Sequence, residues 1–303
     1  MAIEAPKPWF PLPAPVSPET EAARRGERIP TGVPDFDHMT GGLPSGSVVL
    51  LTGEPGAGHP EFALTSAVHL MLRYEDPELH RYYLGGTSGK FVYPSNVAYL
   101  SLSRSREQVL REVEGSFEPT YHRVLISHLR FHDLSPAYFG DSVVPASWAA
   151  LSSGLLAGST GEPADPTTPL KAIAAALESD GPSNLVLLDS LTDLVVRKGT
   201  DPDDLAMLVK GLRRRAKEWR GIVYLLLTKG VAAPTLEQTL YDSVDGVLSF
   251  SWTAGVNRSH RQRQMVIERF MPVLAHVPYE HQGRFVIRVS ALNGLVTTQY
   301  ERV

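Results

Sequence analysis

Short apolar runs alternate with helical patterns along most of the chain. Ser47–Thr52 is apolar and rich in β-branched residues, and apolar residues then recur at helical spacing from Phe62 to Tyr74. Further strands are predicted at Val97–Leu102, Val124–His132, Asn184–Asp189, 222–228, 244–251, 263–270 and 284–290, and helices at Ser105–Glu114, Leu170–Ser179 and Asp201–Trp219. This order predicts an α/β fold with a mostly parallel central sheet, flanking helices and antiparallel strands at the C-terminal end.

Three segments lack such patterns. Residues 1–27 are rich in proline, which excludes a regular helix or central strand, so we expect an extension ahead of one domain at 28–303. Glu75–Pro94 is long for a connection, and its Tyr/Gly-rich part predicts an exposed hairpin that turns at Gly85-Gly86 or Ser88-Gly89. Ser152–Pro169 has the composition of a flexible loop.

Composition excludes several classes of function. The 303 residues carry a net charge of −4, which gives no general attraction to nucleic acid or to an acidic membrane. The chain has no cysteine, so disulfides, cysteine–zinc sites and cysteine nucleophiles are excluded. No apolar run approaches the roughly 20 residues of a membrane span, and Met1–Arg25 has no signal-peptide core. We therefore expect a cytoplasmic protein without membrane association.

The most informative motif follows the first long strand. Residues 53–60 read GEPGAGHP, and Gly53 and Gly58 have the spacing of a phosphate-binding P-loop, Gly-x-x-x-x-Gly-Lys-Ser/Thr. A plain Gly/Pro turn is the alternative, but the strand before it and the helix after it favour a P-loop. The candidate phosphate-binding residues are Gly53, Glu54, Pro55, Gly56, Ala57, Gly58, His59 and Pro60.

Two essential groups of this loop are replaced. His59 stands at the lysine position, and its reference pKa of roughly 6.5 leaves it mostly neutral near pH 7. Pro60 stands at the Ser/Thr position and has neither the hydroxyl that binds Mg²⁺ nor a backbone N–H. The helix itself tolerates a proline in its first turn. We therefore expect the loop shape without ordinary Mg²⁺-ATP hydrolysis, without catalytic residues and without a metal site.

The segment ahead of the loop, Ile29–Gly46 (IPTGVPDFDHMTGGLPSG), makes the chain resemble one family. It is similar to the motif that leads into the P-loop in the KaiC/RadA-like branch of the RecA superfamily, and the matching residues are Thr31, Gly32, Asp35, Asp37, Gly41, Gly42 and Gly46. Later matches are NLVLLD at 184–189, IVYLLLTK at 222–229, DSVDGVLSF at 242–250 and MVIERFMPVLAH at 265–276. The resemblance spans Arg28 to Thr298 and implies a RecA-type P-loop fold and an archaeal source.

The resemblance also assigns roles to residues outside the loop. Asp189 matches the acid that holds Mg²⁺ through water, whereas Ser103 and Arg104 replace two adjacent glutamates, one of which polarises the attacking water. Arg269 and Met271 replace the Lys-x-Arg finger that reaches the neighbouring subunit's nucleotide, so one of its two cations is kept. The phosphate lysine, the Mg²⁺ hydroxyl, the base and half of the finger are thus all altered.

Two basic clusters and a group of histidines have open interpretations. The run Arg213–Arg220 is either a solvated helix face or a phosphate-backbone patch. The second basic cluster comprises Arg258, His260, Arg261 and Arg263 and lies where RecA relatives place DNA-facing loops. His122, His128 and His132 lack the carboxylate or cysteine spacing of a metal site, so we expect structural roles for them.

These observations favour a catalytically impaired KaiC/RadA-like protein that acts as a regulatory or assembly subunit. We expect it to form homo-oligomers, or hetero-oligomers with a RecA/KaiC-like ATPase or another protein. Trp9-Phe10 is either an anchor on a neighbour, as in RecA-like assemblies, or part of a disordered or folded-back leader. ATP or ADP is the expected cofactor, bound weakly or without Mg²⁺, if any is bound. A nucleotide-binding ATPase with an atypical P-loop and a DNA-binding recombinase mediator remain alternatives.

Overall fold

The computed structural model describes residues 26–84, 91–145, 168–254, 261–275 and 284–298, together with Trp148 and Val277. A two-stranded ladder pairs β1 (Arg28–Ile29) with β2 (Leu43–Pro44). The main sheet is formed by β3 (Ser47–Gly53), β4 (Val97–Ser101), β5 (Leu129–Asp133), β6 (Leu185–Asp189), β7 (Ile222–Thr228), β8 (Gly246–Ala254), β9 (Arg261–Arg269), β10 (Arg284–Ser290) and β11 (Gly294–Thr298).

The strand order of the main sheet is β11-β10-β9-β8-β3-β7-β6-β4-β5. Strands β8, β3, β7, β6, β4 and β5 are parallel to their neighbours within this set. The last three strands continue the sheet in antiparallel pairing. The predicted mostly parallel sheet with an antiparallel C-terminal end is therefore confirmed.

Helices cover both faces of this sheet. They are α1 (Pro34–Thr40), α2 (His59–Glu75), α3 (Pro77–Leu84), α4 (Arg106–Ser116), α5 (Pro119–His128), α6 (Ser135–Phe139), α7 (Pro169–Asp180), α8 (Leu191–Val196), α9 (Pro202–Ala216), α10 (Pro234–Ser243) and α11 (Met271–Leu274). Side chains alternate along a strand, so Val49 and Leu51 of β3 pack with α1, α2, α4 and α5, whereas Val48 and Leu50 pack with α7 to α10.

The lead-in segment (Ile29–Gly46) is fixed by a buried carboxylate. Asp37 accepts hydrogen bonds from the Thr31 N–H and hydroxyl at 2.7 and 2.9 Å, and from the Gly32 N–H at 2.9 Å. Burial raises the pKa of Asp37 to about 7, against the effect of these donors. Arg28 donates to the carbonyl oxygens of Thr40, Gly41 and Gly42. The polar residues of this segment therefore hold its own backbone in place.

Two predictions of local structure are wrong. The strand predicted at Val124–His132 begins only at Leu129, because the residues before it belong to helix α5, which starts at Pro119 and buries Tyr121, Val124 and Leu125 on one face. The hairpin predicted within Glu75–Pro94 is also wrong at its start, since α3 is helical through Leu84. Its proposed turn residues 85–90 lie outside the described residues, as do residues 1–25 and 152–167.

The structure adds β11 to the strands predicted for the main sheet. This strand pairs with β10 over five residue pairs and buries Leu295. Thr297 of this strand donates its hydroxyl to Asp35 at 3.1 Å, which joins the C-terminal end of the sheet to the lead-in segment. The Leu295 N–H also donates to the Thr65 hydroxyl at 2.8 Å, so β11 lies beside helix α2 as well.

Candidate functional site

The sequence-predicted site residues, except Arg269, lie at the carboxyl edge of the parallel strands. Gly53 is level with Thr228 of the adjacent strand β7, and Ser101 of β4 is level with Asp189 of β6. Because β7 lies between β3 and β6, the loop at 53–60 and Asp189 lie about 10 Å apart across the sheet, given the usual spacing of neighbouring strands. This edge is where ligands bind in open parallel sheets.

The loop at 53–60 has few free backbone donors. The Glu54 N–H donates to the Phe250 carbonyl at 3.0 Å, and the Ala57 N–H donates to the Glu54 carbonyl at 3.0 Å. Pro55 and Pro60 have no N–H to offer. A nest of N–H groups is what gives a P-loop much of its hold on phosphate. The remaining candidate donors are the N–H groups of Gly56, Gly58 and His59.

His59 is folded back into the protein at the start of α2. The residue is only 6% exposed, and a Cβ placed on Gly53 would come within 2.4 Å of its Nδ1 atom. Its ring lies 6.2 Å from the ring of Phe250, and Nδ1 has no hydrogen-bond partner among the described residues. Burial lowers the pKa of His59 to about 4, although the charge of Asp189 acts in the opposite direction. The imidazole is therefore neutral near pH 7 and supplies no cation.

Strands β8 and β9 hold the loop through its carbonyl oxygens. The Trp252 indole N–H donates to the Pro55 carbonyl at 3.1 Å, and Arg263 Nε donates to the Gly56 carbonyl at 2.8 Å. The Arg263 guanidinium lies 4.6 Å from the centre of the Trp252 ring, a cation–π contact that fixes both side chains. These contacts of Trp252 and Arg263, which clamp the loop, have no signal in the sequence, because they depend on the pairing of two later strands.

Arg104 makes the most consequential contact of the site. Asp189 Oδ2 accepts hydrogen bonds from the Tyr99 hydroxyl at 2.6 Å and from Arg104 Nε at 3.0 Å, and Arg104 Nη2 forms a further short contact with it. Burial acts to lower the pKa of Arg104, but Tyr99 and Asp189 raise it above its usual value. A permanent cation therefore sits on the carboxylate that the resemblance assigns to Mg²⁺.

Strand pairing explains how this contact arises. Strands β4 and β6 are neighbours, and Ser101 pairs with Asp189, so the turn after β4 runs beside the acid. Ser101 Oγ accepts the Arg104 N–H at 3.0 Å and fixes that turn. Ser103 donates to Asp193 Oδ2 at 2.8 Å. The two residues at the glutamate positions therefore both bond to acids that lie in or just after β6.

Arg269 lies far from the loop within one chain. It pairs with Val247, which pairs with Leu50 of β3, three residues before Gly53. Three strand residues span about 10 Å, so Arg269 lies toward the opposite edge of the sheet. Its Nη1 donates to the Tyr241 carbonyl at 2.6 Å and contacts Asp242 Oδ1 at 3.2 Å. The structure does not bring Arg269 together with His59 and Asp189.

The basic run on α9 is largely neutralised within the chain. Four of its cations contact carboxylates: Arg213 and Lys217 contact Asp245, Arg215 contacts Glu178 and Glu218, and Arg220 contacts Glu27. Of the second cluster, Arg261 and Arg263 stack on Trp252, and residues 258 and 260 lie outside the described residues. Paired cations release fewer counterions on binding a polyanion, which weakens the case for DNA.

The three histidines noted in the sequence are separated. His128 ends helix α5 and contacts Glu75 at 3.1 Å, and His132 on β5 contacts Asp180 at 2.9 Å. His122 lies on α5 one helical turn and a half before His128. Within the described part of the chain, no group of three His, Cys, Asp or Glu side chains could hold a metal ion. The helices of that part also include none long and apolar enough to span a membrane.

No family model and no curated protein matches this chain. Among solved structures, it is similar to a KaiC-like protein from the hyperthermophilic archaeon Pyrococcus horikoshii OT3, with a TM-score of 0.55 and 15% sequence identity. The match covers 90% of this chain and 100% of that one. The chain has a KaiC-like, RecA-type fold. At this identity the likeness establishes the fold, and the chemistry has to be judged from this chain's own residues.

Those residues do not fit Mg²⁺-ATP. A RecA-type fold implies a metal held by a loop hydroxyl and an acid at the end of β6, but Pro60 has no hydroxyl and Asp189 is already bonded to Arg104. A divalent cation near Asp189 would meet a guanidinium at hydrogen-bond distance from the same oxygen. The neutral, buried His59 does not replace the lysine that binds the β- and γ-phosphates.

Proposed function

We propose that this protein is a RecA-fold subunit that does not hydrolyse ATP. It acts as a regulatory or assembly partner, either with copies of itself or with an active KaiC-like ATPase. The observation that carries this proposal is the contact between Arg104 and Asp189. Through this contact, the Arg104 guanidinium lies at the carboxylate where an ATPase would bind its metal. Arg104 itself stands at one of the two positions where the family pattern has glutamates, one of which is catalytic.

The retained shape supports a role in assembly. The chain forms a RecA-like sheet, although His59 and Pro60 stand where ATP hydrolysis needs a lysine and a hydroxyl. RecA-fold nucleotide sites lie between subunits, so an inactive subunit still offers its surface to a neighbour. Arg269 is suited to such a role, because its side chain is 41% exposed and stays charged. ATP or ADP binds weakly, through the backbone donors of the loop and without Mg²⁺.

Phosphate release and sedimentation of the purified full-length protein test the two halves of this proposal. We expect phosphate release from Mg²⁺-ATP to stay at the uncatalysed background, with concentration-dependent oligomers in sedimentation velocity. Replacing Trp9 and Phe10 by alanine reduces oligomerisation if the extension is the anchor. Steady ATP turnover contradicts the first half. The assembly role is contradicted if the protein stays monomeric at every concentration and also fails to co-sediment with a KaiC-like ATPase of the same organism.

A further inference from the structure

A basic cavity lies beside the last turn of α2, away from the loop at 53–60. It has a volume of about 400 Å³ and is lined by Arg73, Pro77, His80, Arg81, Leu84 and Tyr93. Arg73 follows His59 by 14 residues on the same helix, which separates the cavity from the loop by about 21 Å. Its volume falls at the lower end of the range typical of small-molecule pockets.

Its polar groups are held in position. The Arg73 guanidinium lies 4.3 Å from the centre of the Tyr93 ring, and the His80 ring meets the same ring edge-on at 5.3 Å. His80 is only 8% exposed, and its buried Nε2 has no hydrogen-bond partner among the described residues. An unsatisfied buried nitrogen is costly, so a ligand or water is expected to bond with it.

The described residues that line the cavity include two arginines and no acid. Within the described residues, neither Arg73 nor Arg81 forms an ion pair with a carboxylate. The acids near them in the chain are Glu75, which contacts His128 at 3.1 Å, Asp76, which accepts the Leu79 N–H at 3.0 Å, and Glu78. Two guanidinium groups at one cavity therefore attract a multiply charged anion.

We propose that this cavity binds the phosphate group of a small phosphorylated molecule. A guanidinium matches phosphate oxygens with paired N–H donors, and two of them favour a dianion over a single carboxylate. Tyr93 also lines the cavity, and Leu84 and Pro77 offer apolar surface to the rest of the molecule. This site is independent of the loop at 53–60 and of the proposed function.

Calorimetric titration of the full-length protein with inorganic phosphate and pyrophosphate tests the proposal. We expect saturable binding that weakens at least about tenfold when both Arg73 and Arg81 are replaced by glutamine. Arg214→Gln is the matched control, because Arg214 is an exposed arginine on α9, on the opposite face of the sheet, and should leave the affinity unchanged.

The single variant Arg81→Gln tests the same site if the double variant does not fold. Arg81 is exposed, and no ring stacks on it among the described contacts, so its replacement should leave the fold intact. We expect weaker binding in this variant with an unchanged unfolding temperature. Absence of saturable binding to the native protein overturns the proposal. Binding that is equally strong in the double variant also overturns it, because the anion then binds elsewhere, the loop at 53–60 included.

Discussion

The lead-in segment and the carboxyl edge of the sheet resemble the same family but differ in what their residues do. In the lead-in segment the matching residues are kept, and Asp37 binds the backbone of Thr31 and Gly32. At the carboxyl edge Asp189 also matches, but Arg104 stands where the family pattern has a glutamate, and it bonds to Asp189. Under the proposed function, the lead-in residues serve the fold, whereas the residues at the carboxyl edge no longer serve ATP chemistry.

The replaced residues at the carboxyl edge do not leave their positions empty. Arg104 bonds to Asp189, Ser103 bonds to Asp193, and His59 packs on Gly53. Each therefore has a partner or a packing surface within the chain, apart from the Nδ1 atom of His59. At this edge the polar side chains bond to one another, whereas in the lead-in segment Asp37 bonds to the backbone.

Gly46→Ala should cause the largest loss of stability, because it acts on the lead-in segment. A Cβ at Gly46 would lie 2.5 Å from the Ala216 carbonyl oxygen, where only backbone atoms could move away. Gly199→Ala is the matched control, since Gly199 has a similar positive φ and no atom within 4 Å of a new Cβ. We expect a loss of about 4 kcal/mol for Gly46→Ala and about 1 kcal/mol for Gly199→Ala in chemical denaturation. Equal losses would show that the close contact is unimportant.

Lowering the pH should destabilise the folded protein through two buried histidines. Burial lowers the pKa of His59 and of His69 to about 4, and the folded state therefore resists protonation that the unfolded state accepts near 6.5. Each contributes stability that is complete above pH 6.5 and lost as the pH falls from 6.5 to 4, by up to about 3 kcal/mol. His69 uses both nitrogens, with Gly32 at 2.6 Å and Tyr121 at 2.9 Å.

The variants His59→Leu and His69→Leu separate the two regions. His69→Leu should destabilise the protein at every pH, because it leaves the Gly32 carbonyl and the Tyr121 hydroxyl without their partner. His59→Leu should cost little at pH 7.5 and should flatten the dependence of the unfolding free energy on pH. Comparison with the native protein cancels the effect of other groups such as Asp37. A pH profile of His59→Leu that runs parallel to the native one would contradict the burial of a neutral His59.

Arg104→Gln should destabilise the protein by about 2 kcal/mol, because Asp189 loses its cation while partly buried and solvent screens only part of the effect. Arg111→Gln is the control on the adjacent helix, since Arg111 is exposed and donates only to the Glu107 carbonyl. We expect that variant to change stability by less than about 0.5 kcal/mol. Equal effects in urea denaturation would mean that the Arg104 contact is an ordinary surface pair.

Arg263→Gln should have the smallest effect, about 1 kcal/mol, because it removes one hydrogen bond to the Gly56 carbonyl. Faster hydrogen exchange at the loop amides should accompany the loss. Arg261→Gln provides the comparison, since Arg261 also lies against Trp252 but has no described bond to the loop. Identical exchange in the two variants would show that the clamp does not hold the loop.

The sequence predicts the sheet well because buried parallel strands leave a strong signal. Ser47–Thr52 and Asn184–Asp189 each contain four consecutive apolar residues, and both segments form strands of the central sheet. The first half of Val124–His132 is helical instead, because Pro119 starts a helix whose apolar residues happen also to alternate over a short window. Short segments of this kind cannot be assigned from alternation alone.

The site was less predictable than the fold. The sequence identifies Arg104 as a replaced glutamate, but its bond to Asp189 spans 85 residues and depends on β4 and β6 being neighbours. The sequence does contain one signal for this ion pair, because the acidic Asp189 ends one core strand and the basic Arg104 closely follows another. The burial of the His59 side chain and the contacts of Trp252 have no such signal in the sequence, because both depend on packing between distant strands.

Calorimetric titration of the full-length protein with ATP, with and without Mg²⁺, shows directly whether this chain binds a Mg²⁺-nucleotide. We expect either no binding or an affinity that Mg²⁺ changes by less than about twofold, because Arg104 already neutralises Asp189 and Pro60 offers no metal ligand. Binding that Mg²⁺ strengthens tenfold or more, accompanied by release of phosphate, would contradict the account. It would mean that Arg104 leaves Asp189 when nucleotide arrives.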